Sequence, residues 1–124
     1  MKQVEEEVDE MPFLMIKTNL ELEKTTVQAL LNYASRVVAE TVKKPESYVM
    51  VNVCSGEHMI FGGTPMPTVY MEMKSIGMTK EQIPILSQAL TKMAEDRLKV
   101  PANRVYIEFA PVPGILWGYN GTTF

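Results

Sequence analysis

The sequence predicts an α/β (α+β) fold in which two βαβ repeats build one mixed sheet with two helices on one of its faces. Three observations lead there. Pro12 and Pro67 each open a strand-like run and stand 55 residues apart, while Pro45 and Pro101, each lying between a helix-like and a strand-like stretch, stand 56 apart. Strand, helix and strand therefore recur in the same order. Both helix-like stretches are apolar on one face only, as helices laid against a sheet must be. The 124 residues suffice for one domain, but half of that length is too short to bury a sheet alone, so the halves must share one.

Each element has its own local signal. Phe13-Leu14-Met15-Ile16-Lys17-Thr18-Asn19 reads as a first strand opening after a proline. Val27, Leu30, Leu31, Ala34, Val37, Val38 and Val42 then recur at helical spacing, with Gln28, Asn32, Arg36 and Glu40 opposite, which predicts a helix over about 25–43. Lys44-Pro45-Glu46-Ser47 leads into a second strand, Tyr48 to Val53. Residues 55–66 contain Gly56, Gly62, Gly63 and Pro65 and read as a turn-rich connection, with Gly62-Gly63 as a bend near a sheet edge.

The second repeat, about 67–124 against 12–66 for the first, opens with a strand from Thr68 to Ser75. Thr79-Lys80-Glu81-Gln82 has the form of a capping box, and Ile83, Leu86, Leu90, Met93, Ala94 and Leu98 give the apolar face of the helix that follows. Pro84 fits only near its first turn. Arg104 to Phe109 is the fourth strand, and Pro111 to Phe124, with Trp117, Tyr119 and Phe124 among glycines, reads as a short hairpin or an edge strand given to a neighbouring subunit. Tyr70, Met71, Met73, Met50 and Val53 are read as leaving few polar positions on the sheet face away from the helices, so oligomerisation is expected to cover it.

Charge and cysteine content remove several function classes. Residues 1–11 form an acidic extension with net charge -4, while residues 12–124 carry 11 basic against 10 acidic residues, so the body is near neutral. A nucleic-acid binder needs a concentrated basic face, and none is present. One cysteine, Cys54, and one histidine, His58, can furnish neither an internal disulfide nor a clustered zinc site, so no metal and no cofactor is expected. No apolar run reaches the roughly 20 residues of a membrane span, and the acidic start is unlike a signal peptide. The default is a cytoplasmic protein.

Met11-Pro12-Phe13-Leu14, Lys44-Pro45-Glu46-Ser47-Tyr48-Val49, Phe61-Gly62-Gly63, Ser75-Ile76-Gly77, Arg104-Val105-Tyr106-Ile107 and Gly118-Tyr119-Asn120-Gly121-Thr122-Thr123-Phe124 occur in that order. Together they resemble the macrophage migration inhibitory factor family of the tautomerase superfamily over residues 12–124. The resemblance implies a homotrimer whose three sheets line a central barrel. It also implies keto-enol tautomerisation of a small α-keto acid or enol of the phenylpyruvate or dopachrome type, with an N-terminal proline as base. Family members also act outside cells as cytokine-like signals, leaving by routes that use no signal peptide. A protein receptor and a secreted location are therefore implied as an alternative role.

By this resemblance Pro12 is the catalytic base and Lys44 the anchor for the substrate carboxylate. The Ser75-Ile76 backbone touches substrate, Tyr106 of an adjacent subunit offers its hydroxyl, and Tyr48, Tyr119 and Phe124 form aromatic walls. Glu108 stands where the family often has Asn and Lys74 where it often has His, which bears on substrate preference. Thr68 and Met71 occupy the positions of the Cys-x-x-Cys found in some vertebrate members, so thiol oxidoreductase activity is not expected.

The extension carries its own consequence. With residues 1–11 attached, the Pro12 nitrogen is an amide without useful basicity, and the proline-base mechanism cannot run. Met11 as initiator, removed before proline, or later cleavage would free the amine; retention would leave a protein that is no tautomerase. The acidic residues are expected to be tied down, as a helix or against a neighbouring subunit.

Overall fold

A computed structural model describes residues 11–124. The expectation for the acidic extension, apart from Met11, lies outside the described residues. The element order is β1 (Phe13–Thr18), α1 (Lys24–Val42), β2 (Met50–Cys54), β3 (Val69–Ser75), α2 (Gln82–Leu98), β4 (Val105–Pro111), β5 (Gly118–Tyr119) and β6 (Thr122–Thr123). The first four strands form one mixed sheet in the order β2-β1-β3-β4. β1 runs parallel to β2, β3 parallel to β4, and the two repeats meet antiparallel where Phe13 pairs with Lys74 and Thr18 with Val69. Each repeat is thus a parallel βαβ unit, and an approximate two-fold relates them.

The repetition extends to backbone detail. α1 and α2 both end at a lysine in the left-handed region, Lys43 at φ 61° and Lys99 at φ 59°. Each turns its amide back to close the last turn, Lys43 to the Ala39 carbonyl and Lys99 to those of Ala94 and Glu95. A proline stops each helix shortly afterwards, and a 3-10 turn, Glu46–Tyr48 or Ala102–Arg104, leads into the next strand. Tyr48 and Arg104, read from sequence as strand residues, belong to these turns. At the start of α2 the capping box forms as written: the Thr79 amide donates to Gln82 Oε1 at 3.0 Å and the Gln82 amide to Thr79 Oγ1 at 3.2 Å.

Two short hairpins close the chain's loops. Gly62 and Gly63 at φ 61° and 77° make the tight turn that pairs Phe61 with Thr64, and Asn120 and Gly121 at φ 54° and 82° make the one joining β5 to β6. Positive φ at both central positions suits the twist of a two-residue hairpin, and Gly or Asn adopts it cheaply.

The core lies between the sheet and the helices. Leu14, Ile16, Met71 and Met73 from the sheet meet Leu30, Ala34 and Val38 of α1 and Leu86, Leu90, Met93 and Ala94 of α2, all buried. This corrects one sequence expectation. Met71 and Met73 face the helices, as does Val53, and not the open side of the sheet. The reason is alternation: Met71 and Met73 are interleaved with Tyr70, Glu72 and Lys74, and the set carrying charges goes to the open face. That face is consequently mixed, with Phe13, Met15 and Tyr106 beside Lys17, Glu72, Lys74 and Glu108.

Candidate functional site

Pro12 sits immediately before β1 at the end of the sheet where Phe13 pairs with both Met50 and Lys74. Its carbonyl accepts a hydrogen bond from the Met50 amide at 3.0 Å, so the residue is fixed by the sheet although it lies outside the strand. Pro12 is buried, and beside it opens a cleft of about 220 Å³. The walls come from Met11, Pro12 and Phe13, the turn Ser47-Tyr48, the start of β2 at Val49 and Met50, and Trp117, Gly118 and Tyr119 of the C-terminal hairpin. The Tyr119 ring is stacked on Phe124 at 5.8 Å between centroids with 23° between planes. The Phe124 amide donates to the Gly114 carbonyl at 3.1 Å, which holds the chain end under the hairpin.

Several residues named from sequence therefore converge here. Pro12, Tyr48 and Tyr119 share the cleft, and Phe124 supports it through Tyr119. Lys74 is beside Phe13 in register and forms an ion pair with Glu72 at 3.6 Å. Ser75 is buried; its hydroxyl donates to the Ile76 carbonyl at 2.9 Å and its own carbonyl accepts from Val112, so it holds the strand end and offers no free nucleophile. Lys44 is half-buried between α1 and the turn that carries Tyr48, its amide donating to the Ala39 carbonyl at 3.0 Å. It does not line the cleft within a single chain.

Tyr106 and Glu108 lie elsewhere. Tyr106 pairs with Tyr70, which pairs with Lys17, four residues along the sheet from the Phe13–Lys74 row. At the rise of an extended chain that is roughly 13 Å along the strands. Tyr106 is 64% exposed and leans on the Phe61 ring at 4.6 Å. The single Tyr70 hydroxyl proton has two carboxylate acceptors within reach, Glu72 at 2.9 Å and Glu108 at 3.0 Å, and is shared between them. Burial, then hydrogen bonding to these two acceptors, then the two negative charges push the Tyr70 phenol well above its ordinary range. Within one chain Tyr106 does not reach Pro12 and does not line its cleft.

Sequence reasoning passed over Met11, Phe13, Ser47, Met50 and Trp117 as cleft residues. Trp117 had a usable signal, since it stands two residues before Tyr119 and an extended chain puts both on one side. Phe13 and Met50 become neighbours only through the pairing of β1 with β2. Among the described residues no group of three or more His, Cys, Asp or Glu side chains is placed to hold a metal ion, and no helix is long and apolar enough to cross a membrane.

The likeness to known proteins spans the same residues. A homologue of macrophage migration inhibitory factor from Brugia malayi is 39% identical over 115 residues, covering 92% of this chain and 99% of that protein. The crystal structure of such a homologue from Prochlorococcus marinus, 36% identical, superposes with a TM-score of 0.85 over 90% of this chain and 98% of its own. The structure of the Trichinella spiralis protein, 30% identical, gives 0.81 over 90% and 99%. The family model for macrophage migration inhibitory factor matches residues 11–124, and with the fold and the cleft described above this chain belongs to that family.

Proposed function

We propose that the protein is a keto-enol tautomerase for small α-keto acids or enols of the phenylpyruvate or dopachrome type, with Pro12 as the acid/base group once its nitrogen is free. The observation that supports this most directly is the position of Pro12, buried at the head of β1 and walled by Tyr48, Trp117 and Tyr119. A free α-amine has a pKa of about 7.7 to 8, and desolvation beside apolar walls lowers it, leaving a neutral amine to take the carbon-bound proton near neutrality. The proton removed from carbon resides on the Pro12 nitrogen and returns to the substrate at the other site of the enol system, so the reaction needs no cofactor.

In this reading the active unit is a homotrimer. Lys44 meets the substrate carboxylate, the Ser75-Ile76 backbone contacts the substrate, and Tyr106 reaches the cleft from the adjacent subunit, with Glu108 and Lys74 setting preference at its rim. The exposed edges of β2 and β4 and the open sheet face supply surfaces that copies of the chain would cover. The test is phenylpyruvate ketonisation by a form starting at Pro12 and by the whole chain. Turnover confined to the shorter form supports the proposal; equal rates, or none in the shorter form, overturn the proline-base mechanism.

A second reading has one observation in its favour. In the chain as it stands the Pro12 nitrogen is acylated by Met11, itself buried. A protein that retains this bond would act as a cytokine-like interaction protein with a blocked cleft, recognised by a protein receptor and acting in the cytoplasm or after secretion without a signal peptide. Intact mass of the protein from its source separates the two: a mature chain beginning at Pro12 supports catalysis, and one retaining residues before it supports the interaction role.

A further inference from the structure

We infer that Phe61 is a positioning residue for the Tyr106 hydroxyl and that Arg104 in turn fixes Phe61, a step that rests on the reading in which Tyr106 serves the cleft of an adjacent subunit.

Tyr106 stands on β4, at the edge of the sheet, and is 64% exposed. An aromatic side chain so placed has more than one staggered rotamer open to it unless something packs against the ring. Its neighbour in register, Tyr70, directs its hydroxyl to Glu72 and Glu108, whereas among the described residues the Tyr106 hydroxyl has no such partner. What packs against the Tyr106 ring is Phe61, with centroids 4.6 Å apart and planes tilted by 47°. Tilted aromatic pairs at this separation contribute beyond the area they bury.

Phe61 is itself held from two directions. Its amide donates to the Thr64 carbonyl at 3.0 Å and its carbonyl accepts from the Thr64 amide at 3.2 Å, across the turn that Gly62 and Gly63 make at positive φ. Arg104 Nη1 donates to the same Phe61 carbonyl at 2.9 Å, and the guanidinium lies 5.1 Å over the Phe61 ring. The remaining donors of Arg104 are anchored too, Nε on the Pro67 carbonyl at 3.0 Å and Nη2 on those of Thr64 and Met66 at 3.1 and 3.0 Å. Guanidinium, Phe61 ring and Tyr106 ring thus form one run of contacts that starts at a fixed cation and ends at an exposed hydroxyl. Arg104 stands two residues before Tyr106, so the loop is clamped to the stretch of chain whose tyrosine it steadies. A donor already aimed when substrate arrives loses less rotamer freedom on binding than one that must be ordered then. Phe61 acts through Tyr106 and touches no substrate itself.

A double-mutant cycle on phenylpyruvate tests this, in the form starting at Pro12 and with thermal unfolding to show that each variant is folded. Phe61→Leu, which removes the ring and keeps an apolar side chain, is expected to lower kcat/KM about fivefold. Phe61→Tyr keeps a ring and should recover most of that loss. Tyr106→Phe, which removes only the hydroxyl, should lower kcat/KM about tenfold, and adding Phe61→Leu to it should cost nothing further. That pattern separates aiming of the hydroxyl from general support of the fold, which would act in both backgrounds alike. A fivefold loss that persists beside Tyr106→Phe, or no loss in Phe61→Leu, overturns the positioning role and leaves the proline mechanism standing. Full activity of Tyr106→Phe removes Tyr106 from the site and the inference with it, again without touching Pro12. No turnover in the unaltered form starting at Pro12 overturns the tautomerase reading itself and this role together. If Phe61→Leu fails to fold, Phe61→Ile decides by the same cycle.

Discussion

The Met50 amide donates to the Pro12 carbonyl at 3.0 Å, which ties the residue proposed as base to the strand that forms one wall of its own cleft. Once Met11 is removed, the ring and the anchored carbonyl would together limit the directions that the lone pair of the freed nitrogen can take. In the form starting at Pro12, Pro12→Gly keeps an α-amine but loses the ring. Turnover of phenylpyruvate is expected to fall about a hundredfold in kcat with little change in KM, since what is lost is the orientation of a proton-transfer group. An unchanged kcat would show that the ring contributes nothing to the chemistry.

Lys44 is expected to act on binding before it acts on the base. A charge-assisted hydrogen bond to a carboxylate is roughly twice as strong as a neutral one. In the form starting at Pro12, Lys44→Ala should accordingly raise KM for phenylpyruvate about tenfold, with partial recovery in Lys44→Arg. Because Lys44 stands outside the cleft of a single chain, the same substitution tests the assembly. A KM that does not move removes Lys44 from the site in the oligomer as well.

The sequence showed the fold more fully than the site, and the reason is locality. Helix periodicity, the Thr79–Gln82 box and the prolines after each helix act over a few residues, and each forms close to where it is read. Tyr70, Met71 and Met73 are all bulky, so size alone does not show which of them face the helices, and only the alternation with Glu72 and Lys74 distinguishes the sides. Tyr48 and Tyr119 were legible as aromatic walls only through an ordered set of motifs. That Met50 and Phe13 stand together depends on pairing between elements more than 30 residues apart, which no local pattern records.

Arg104 is the plainest case of a long-range role. Read from sequence as the first residue of a strand, it donates to the carbonyls of Phe61, Thr64, Met66 and Pro67 at 2.9 to 3.1 Å and sits 5.1 Å over the Phe61 ring. One guanidinium therefore gathers the loop between the two repeats. Arg104→Ala is expected to destabilise the fold by about 2 kcal/mol, because several carbonyls lose a charged donor while solvent compensates in part. Arg104→Lys should recover little, since an ammonium lacks the planar fork that reaches these acceptors. Thermal unfolding of the three proteins checks this, and a fully stable Lys variant would show that charge alone suffices.

Tyr70 gives the fold an alkaline limit with a definite sign. Its phenol is held protonated by burial and by hydrogen bonds to Glu72 and Glu108, so in the folded state it titrates above the ordinary value of about 10. Below that value both folded and unfolded chains carry the proton, and the stabilisation is fully present. As pH rises past it, the unfolded chain releases the proton first and the folded chain does not, so the unfolded state binds fewer protons and stability falls. In Tyr70→Phe this contribution is absent. Denaturant midpoints measured from pH 8 to 11 should therefore decline less steeply for Tyr70→Phe than for the unaltered protein. Parallel declines would mean that Tyr70 titrates as an ordinary exposed tyrosine and that its bonds to the two glutamates do not persist in solution.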